Sequence, residues 1–177
     1  MVSKNSQSDT IKEAVTAATR AISGNKELEI NFGGMGSSLP HPPKTLKELS
    51  AYRGKADSLA CVEKYRDKSV RITSNNEKIN SLFKVMEDSR VEILGSMNYP
   101  GIATNIKSKF EDKCKLYESF EDQEDLLEIA LETWLRNLCL PDIESNKSSL
   151  FLKYWGKVFD NQETVLKESL IESLNNQ

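Results

Sequence analysis

The chain has 177 residues, a length suited to one domain with a substantial buried core. Its 24 Lys and Arg against 27 Asp and Glu leave a net charge of -3, a balance that argues against a nucleic-acid groove, which needs a clear basic excess. With 38% apolar and 29% charged residues, and no apolar run near the ~20 residues that span a bilayer, the composition is that of a soluble, helix-rich domain expected in the cytoplasm.

Three helix starts carry the same device. Thr10 with Glu13, Thr45 with Glu48 and Ser74 with Glu77 each pair a hydroxyl with a carboxylate three residues on, the form of a capping box. The first opens an amphipathic segment with Ile11, Ala14, Val15, Ala18 and Ile22 on one face, stopping near Gly24. Residues 27–32 then alternate polar and apolar before Gly33-Gly34, which predicts a short strand. The stretch to Pro43 holds three prolines and cannot be helical; a second strand around Leu39 would make a hairpin.

From Thr45 to about Asp67 the helical pattern returns, with Leu46, Leu49, Tyr52, Ala56, Leu59 and Ala60 as core contacts and Gly54 marking a close helix approach. Residues 68–73 read as a short strand or plain connector. A third helix, about Asn75 to Gly95, carries Ile79, Leu82, Phe83, Met86, Ile93 and Leu94. Asn98 to Gly101 reads as a turn. A fourth helix follows through Ile102, Ile106, Phe110 and Leu116/Tyr117, and a fifth, capped by Asp122, runs to Pro141 through Leu126, Ala130, Trp134 and Leu138. Glu121, Asp122, Glu124 and Asp125 crowd its first turn. Two shorter amphipathic segments end the chain, one with Leu150, Phe151, Tyr154, Trp155 and Phe159, the other with Val165, Leu166, Leu170, Ile171 and Leu174. The fold class is therefore mainly α, about seven helices with one small β element, strand or hairpin, near residues 27–43.

Few residues carry chemistry. Gly33-Gly34-x-Gly36 lacks the lysine and helix of a phosphate loop and reads as a turn. His41, the single histidine, sits among prolines and reads as an exposed loop residue. Cys61, Cys114 and Cys139 are odd in number and far apart, which favours a reducing compartment and a core role. The aromatics Phe151, Tyr154, Trp134 and Trp155 read as core. No catalytic, cofactor or metal residues are assigned. Arg90 stands where the stripe of its helix calls for a hydrophobe. A guanidinium there needs a partner, Glu87 on its own helix or Asp57 on the preceding one. Arg53 and Asp57 share a helix face, so Arg53, Asp57, Glu87 and Arg90 form a candidate ionic lock between segments 45–67 and 75–95, structural or at an interface.

As an ordered set, Glu27-Leu-Glu-Ile-Asn-Phe-Gly-Gly34, Leu39-Pro40-His41-Pro42-Pro43, Arg53-Gly54-Lys55-Ala56-Asp57-Ser58-Leu59-Ala60, Glu87-Asp88-Ser89-Arg90-Val91-Glu92-Ile93-Leu94-Gly95 and Gly101-Ile102-Ala103-Thr104-Asn105 resemble the N-terminal region of the CobT subunit family of aerobic cobaltochelatase. The resemblance covers residues 10–110, with 111–177 as a helical extension of one domain, 1–177. It implies an accessory, non-catalytic subunit of an ATP-dependent ligase that forms nitrogen–metal bonds, assisting cobalt insertion into the corrin ring in cobalamin biosynthesis. The implied partners are an AAA+ ATPase subunit and a large corrin-binding subunit, with a homo-oligomer possible and neither nucleic acid nor membrane involved. ATP, magnesium and cobalt are used by that complex, and no cofactor is bound by this chain. The family's C-terminal von Willebrand factor A-like domain is absent from these 177 residues, which carry no Asp-x-Ser-x-Ser. That leaves a fragment of a longer subunit, or a reduced stand-alone helical interaction module without the chelatase role.

Overall fold

The computed structural model describes residues 4–70, 73–117, 124–140, 150–161 and 172. Helix α1 spans Lys4–Ser23, a 3-10 turn covers Leu46–Glu48, and α2 follows directly over Leu49–Tyr65. Then come α3 (Glu77–Asn98), α4 (Pro100–Tyr117) and α5 (Leu127–Cys139), with residues 150–161 helical again. The molecule is mainly α, as its periodicity predicts. The segment with Val165 to Leu174, the cap at Asp122 and the neighbouring Glu121 lie outside the described residues.

Helix α2 is the hub: it packs on α1, α3 and α4, most extensively on α4, while α3 also packs on α4 and α5. Apolar side chains fill each contact. Val15, Leu39, Tyr52 and Ala56 join α1 to α2. Cys61, Val91, Ile102 and Ile106 join α2, α3 and α4. Ile93, Trp134 and Leu135 join α3 to α5, and Phe110, Cys114, Ile129 and Phe151 bring in the helix at 150–161.

The expected strand is reduced to one parallel bridge between Phe32 and Leu39. The Gly33 amide donates to the Leu39 carbonyl at 2.8 Å, and the Leu39 amide to that of Asn31 at 3.0 Å. Gly33, Gly34 and Gly36 all have positive φ and reverse the chain at once, while Pro40, Pro42 and Pro43 have no N–H to extend a ladder. The bridge nevertheless seats Leu39, 2% exposed, in the α1–α2 core, and Tyr52 donates its hydroxyl proton to the Pro40 carbonyl (3.2 Å).

The helix starts differ from the capping boxes. Helix α1 begins at Lys4, so Thr10 and Glu13 lie within it. Thr45 is the N-cap of the 3-10 turn without a side-chain bond. At α3 the cap is Asn76, whose side chain accepts from the amides of Lys78 and Ile79; Ser74 supports it by accepting from the Asn76 amide at 3.1 Å. Asparagine caps as well as serine, and here it stands nearer the first turn. The turn at 98–101 shrinks to Tyr99, because Pro100 takes the first position of α4, where its missing N–H costs nothing. Leu46, Ile79, Leu116 and Tyr154, expected in the core, are exposed, each standing off the side its helix turns inward.

Gly54 sets the α2–α4 spacing. A Cβ there would lie 2.2 Å from the Asn105 carbonyl oxygen and 2.7 Å from Lys109 Cβ, whereas one at Gly101 would meet nothing within 4 Å. Gly54→Ala is therefore expected to lower stability by about 2 kcal/mol and Gly101→Ala to leave it unchanged or raise it, both read from urea midpoints. Equal effects of the two substitutions would refute the close approach.

Candidate functional site

The polar side chains of the interior form three clusters. The first is the α2–α4 seam beside Gly54. Buried Asp57 accepts from Asn105 Nδ2 at 2.8 Å and from Arg53 Nη2 at 3.4 Å. Ser50 continues it, donating to Asn105 Oδ1 at 3.2 Å and lying 2.9 Å from the Ser108 hydroxyl. Burial raises the Asp57 carboxyl above its ordinary value, opposed by the Asn105 bond and by Arg53.

The second cluster closes the far end of α2 onto α3. Arg90 clasps Glu87 through Nε and Nη2, both at 2.8 Å, and Nη2 also donates to the Tyr65 carbonyl at 2.9 Å. That carbonyl belongs to the last turn of α2, whose acceptors lack helical partners. Arg66, the α2 C-cap, pairs with Asp88 and approaches Glu87 at 3.8 Å. Of the two partners open to Arg90, the contact is with Glu87; Asp57 faces α4 instead. Arg53 with Asp57 and Glu87 with Arg90 thus occupy two separate clusters.

The third cluster is the deepest and joins four helices. Glu92 of α3 accepts from Ser58 of α2, Lys109 of α4 and Arg136 of α5. Lys109 also donates to the Ser58 hydroxyl at 2.7 Å. Arg136 binds Glu132, one turn before it, through Nε at 3.1 Å and Nη2 at 2.8 Å, and Lys113 of α4 caps the other Glu132 oxygen. The Arg136 guanidinium also lies 4.8 Å from the centre of the Phe110 ring, within cation–π range.

Burial would push the Glu92 carboxyl up, but Lys109 and Arg136 outweigh it and hold it down at about 2. Glu132 is likewise held low against its burial by Arg136 and Lys113. The Cys61 thiol is pushed up to about 12, by burial first and then by Glu92 and Asp57. These directions keep the carboxylates ionised and the thiol protonated at neutral pH, the reverse of what an interior proton donor or nucleophile needs. Among the described residues no group of three or more His, Cys, Asp or Glu is placed to hold a metal ion, and no described helix is long and apolar enough to cross a membrane.

The sequence pattern of the family described as cobalamin biosynthesis protein CobT matches residues 5–170. The chain belongs to this CobT family. Its biological setting is accordingly cobalamin biosynthesis. No solved structure matches the chain.

The segments that carry the CobT resemblance have definite positions in this fold. Gly54, Asp57 and Asn105 make the α2–α4 seam, Ser58 and Glu92 belong to the four-helix network, and Glu87 with Arg90 closes α2 onto α3. Gly95 admits Cys61, whose Sγ would lie 2.2 Å from a Cβ there. His41, an exposed residue, lies against Gly33 in the glycine loop. Trp134 and Phe151 are core, Trp155 packs against it, and Tyr154 is exposed. Cys61 and Cys114 are fully buried and Cys139 partly so.

Glu92, Glu132 and Arg136 are absent from the candidate lock read from the sequence. A signal for them exists: Ile129 departs from the stripe through Leu127, Leu131 and Leu135, so α5 is buried on more than one side. The Glu132–Arg136 pair, four residues apart on such a helix, then has to be internal.

The network makes stability depend on acid in a defined direction. Because the folded Glu92 carboxyl lies below its ordinary 4.5, its contribution is complete above that value and is lost as pH falls towards about 2. The wild-type chain is expected to lose about 3 kcal/mol over this window from Glu92. Glu92→Gln is expected to cost about 3–5 kcal/mol at pH 7 by leaving buried cations unpaired, and to flatten the acid limb. Arg90→Ala should cost less, about 1–2 kcal/mol, since Glu87 is partly exposed and has Arg66 nearby. Urea titrations from pH 7 to pH 2 check all three values; equal losses for the two variants would contradict the ranking.

Proposed function

We infer that this domain is an assembly region of a CobT-type subunit of the ATP-dependent aerobic cobaltochelatase. It assists insertion of cobalt, the substrate metal, into the corrin ring without forming the nitrogen–metal bonds itself. The observation that carries this reading is the family match over residues 5–170 on a domain whose motif side chains are spent on helix-to-helix contacts. Side chains that hold a scaffold rigid suit a platform that positions other proteins. In this reading the AAA+ ATPase partner uses ATP and magnesium, and the large partner subunit holds the corrin.

The surface supports a protein-binding role. Leu150, Tyr154 and Val158 are exposed at i, i+4 and i+8, a row beside the helix face that packs Phe151, Trp155 and Phe159 on the core. Such a row is more than the scattered exposed hydrophobes of an ordinary surface. Met35, wholly exposed, stands at the tip of the glycine loop.

The experiment is co-purification of the chain with the ATPase subunit and the corrin-binding subunit of an aerobic cobaltochelatase, each expressed separately. Co-elution with the ATPase subunit, strengthened by ATP and magnesium, is the expected result. A cooperatively melting chain that binds neither subunit would overturn the assignment.

A further inference from the structure

Cations outnumber carboxylates in the four-helix network. In the four-helix network Lys109, Lys113 and Arg136 face two carboxylates, Glu92 and Glu132, so three cations meet two anions. Beside Arg136, where α3, α4 and α5 converge, is a cavity of about 20 Å³. Its polar lining is Ser96, Lys107, Arg136 and Asn137, with Ile106 and Phe110 among the apolar walls. All four polar side chains can donate hydrogen bonds, and no carboxylate stands among the described lining residues.

Two of these donors, Ser96 and Lys107, have no hydrogen-bond or ion-pair partner among the described residues. Ser96 is 6% exposed, and its Oγ is buried with no hydrogen-bond partner among the described residues, a state that buried hydroxyls rarely tolerate. Lys107 makes no ion pair among the described residues, although it borders a network already in positive excess. Arg136 spends Nε and Nη2 on carboxylates, and Nη1 makes none of these bonds. A water molecule would satisfy Ser96 but leave the charge excess untouched. A carboxylate answers both, because its two oxygens accept several hydrogen bonds and its charge meets Lys107 and Arg136. The cavity volume passes the roughly 10–15 Å³ that a polar cavity needs to admit a water, so only a small polar head enters, with the rest of its molecule outside.

We propose that this junction cavity is a binding site for a carboxylate group. The site is independent of the assembly reading and is present in the chain alone. Two sources offer the same chemistry: a small free carboxylate, and an Asp or Glu side chain carried on an acidic peptide.

The test is an NMR titration of the 177-residue chain at constant ionic strength, following the Asn137 side-chain amide and the Arg136 Nε–H. Formate, a short acidic peptide and chloride are added in separate arms. Saturable shifts of both signals with formate are expected, weakened about tenfold in Lys107→Met, a variant that loses no ion pair among the described residues and should melt as wild type does. Saturation by the peptide alone would support the site and assign it to a tethered side chain. Shifts that never saturate, that chloride reproduces, or that survive Lys107→Met unchanged would overturn the proposal and leave a trapped water in the cavity.

Discussion

The contact on which the rest of the structure depends is Arg136 held between Glu92 and Glu132. Burying three ionised groups carries a large desolvation cost, which mutual attraction repays only when geometry is good and remaining lone pairs are satisfied. Here Ser58 and Lys109 complete Glu92, and Lys113 completes Glu132. Because the partners come from α2, α3, α4 and α5, satisfying the charges requires all four helices in one arrangement. An apolar junction would tolerate sliding and repacking; this one penalises any shift that strands a charge.

Such a junction is possible only if the backbones come close. Gly54 lets α4 approach α2 until Asn105 and Lys109 touch it, and Gly95 lets α3 receive Cys61. Lys109 then reaches both Ser58 and Glu92. The polar seam at Asp57–Asn105 and the clasp of Arg90 on Glu87 and the Tyr65 carbonyl secure the middle and the C-terminal end of α2. The glycines and the charges therefore act together, and neither set explains the packing alone.

Much of this was legible in the sequence. Apolar periodicity located the helices, because burial dictates their spacing, and Gly54 inside a helical pattern announced a close approach. Arg90 on an apolar stripe signalled an internal guanidinium, though its partner depended on how α2 rotates, which periodicity does not determine. The helix starts were misread because capping boxes are short and several candidates compete within a few residues; Asn76 outranked Ser74 by position. The strand at 27–32 alternated correctly but found no ladder, since glycine reversals and prolines follow it. The four-helix network was hardest to see because its members lie on four elements up to 78 residues apart, from Ser58 to Arg136, and only the Glu132–Arg136 pair has a local signature.

A rigid interior with committed side chains, in a chain of the CobT family, is consistent with work done at the surface. The central claim is that Glu92 and Arg136 are energetically coupled, and a double-mutant cycle measures this directly. Glu92→Gln, Arg136→Met and the double variant are to be unfolded in urea at pH 7. The account predicts a coupling energy of about 2–3 kcal/mol, with the double variant more stable than the sum of the single losses implies. Additive losses, with coupling near zero, would contradict it.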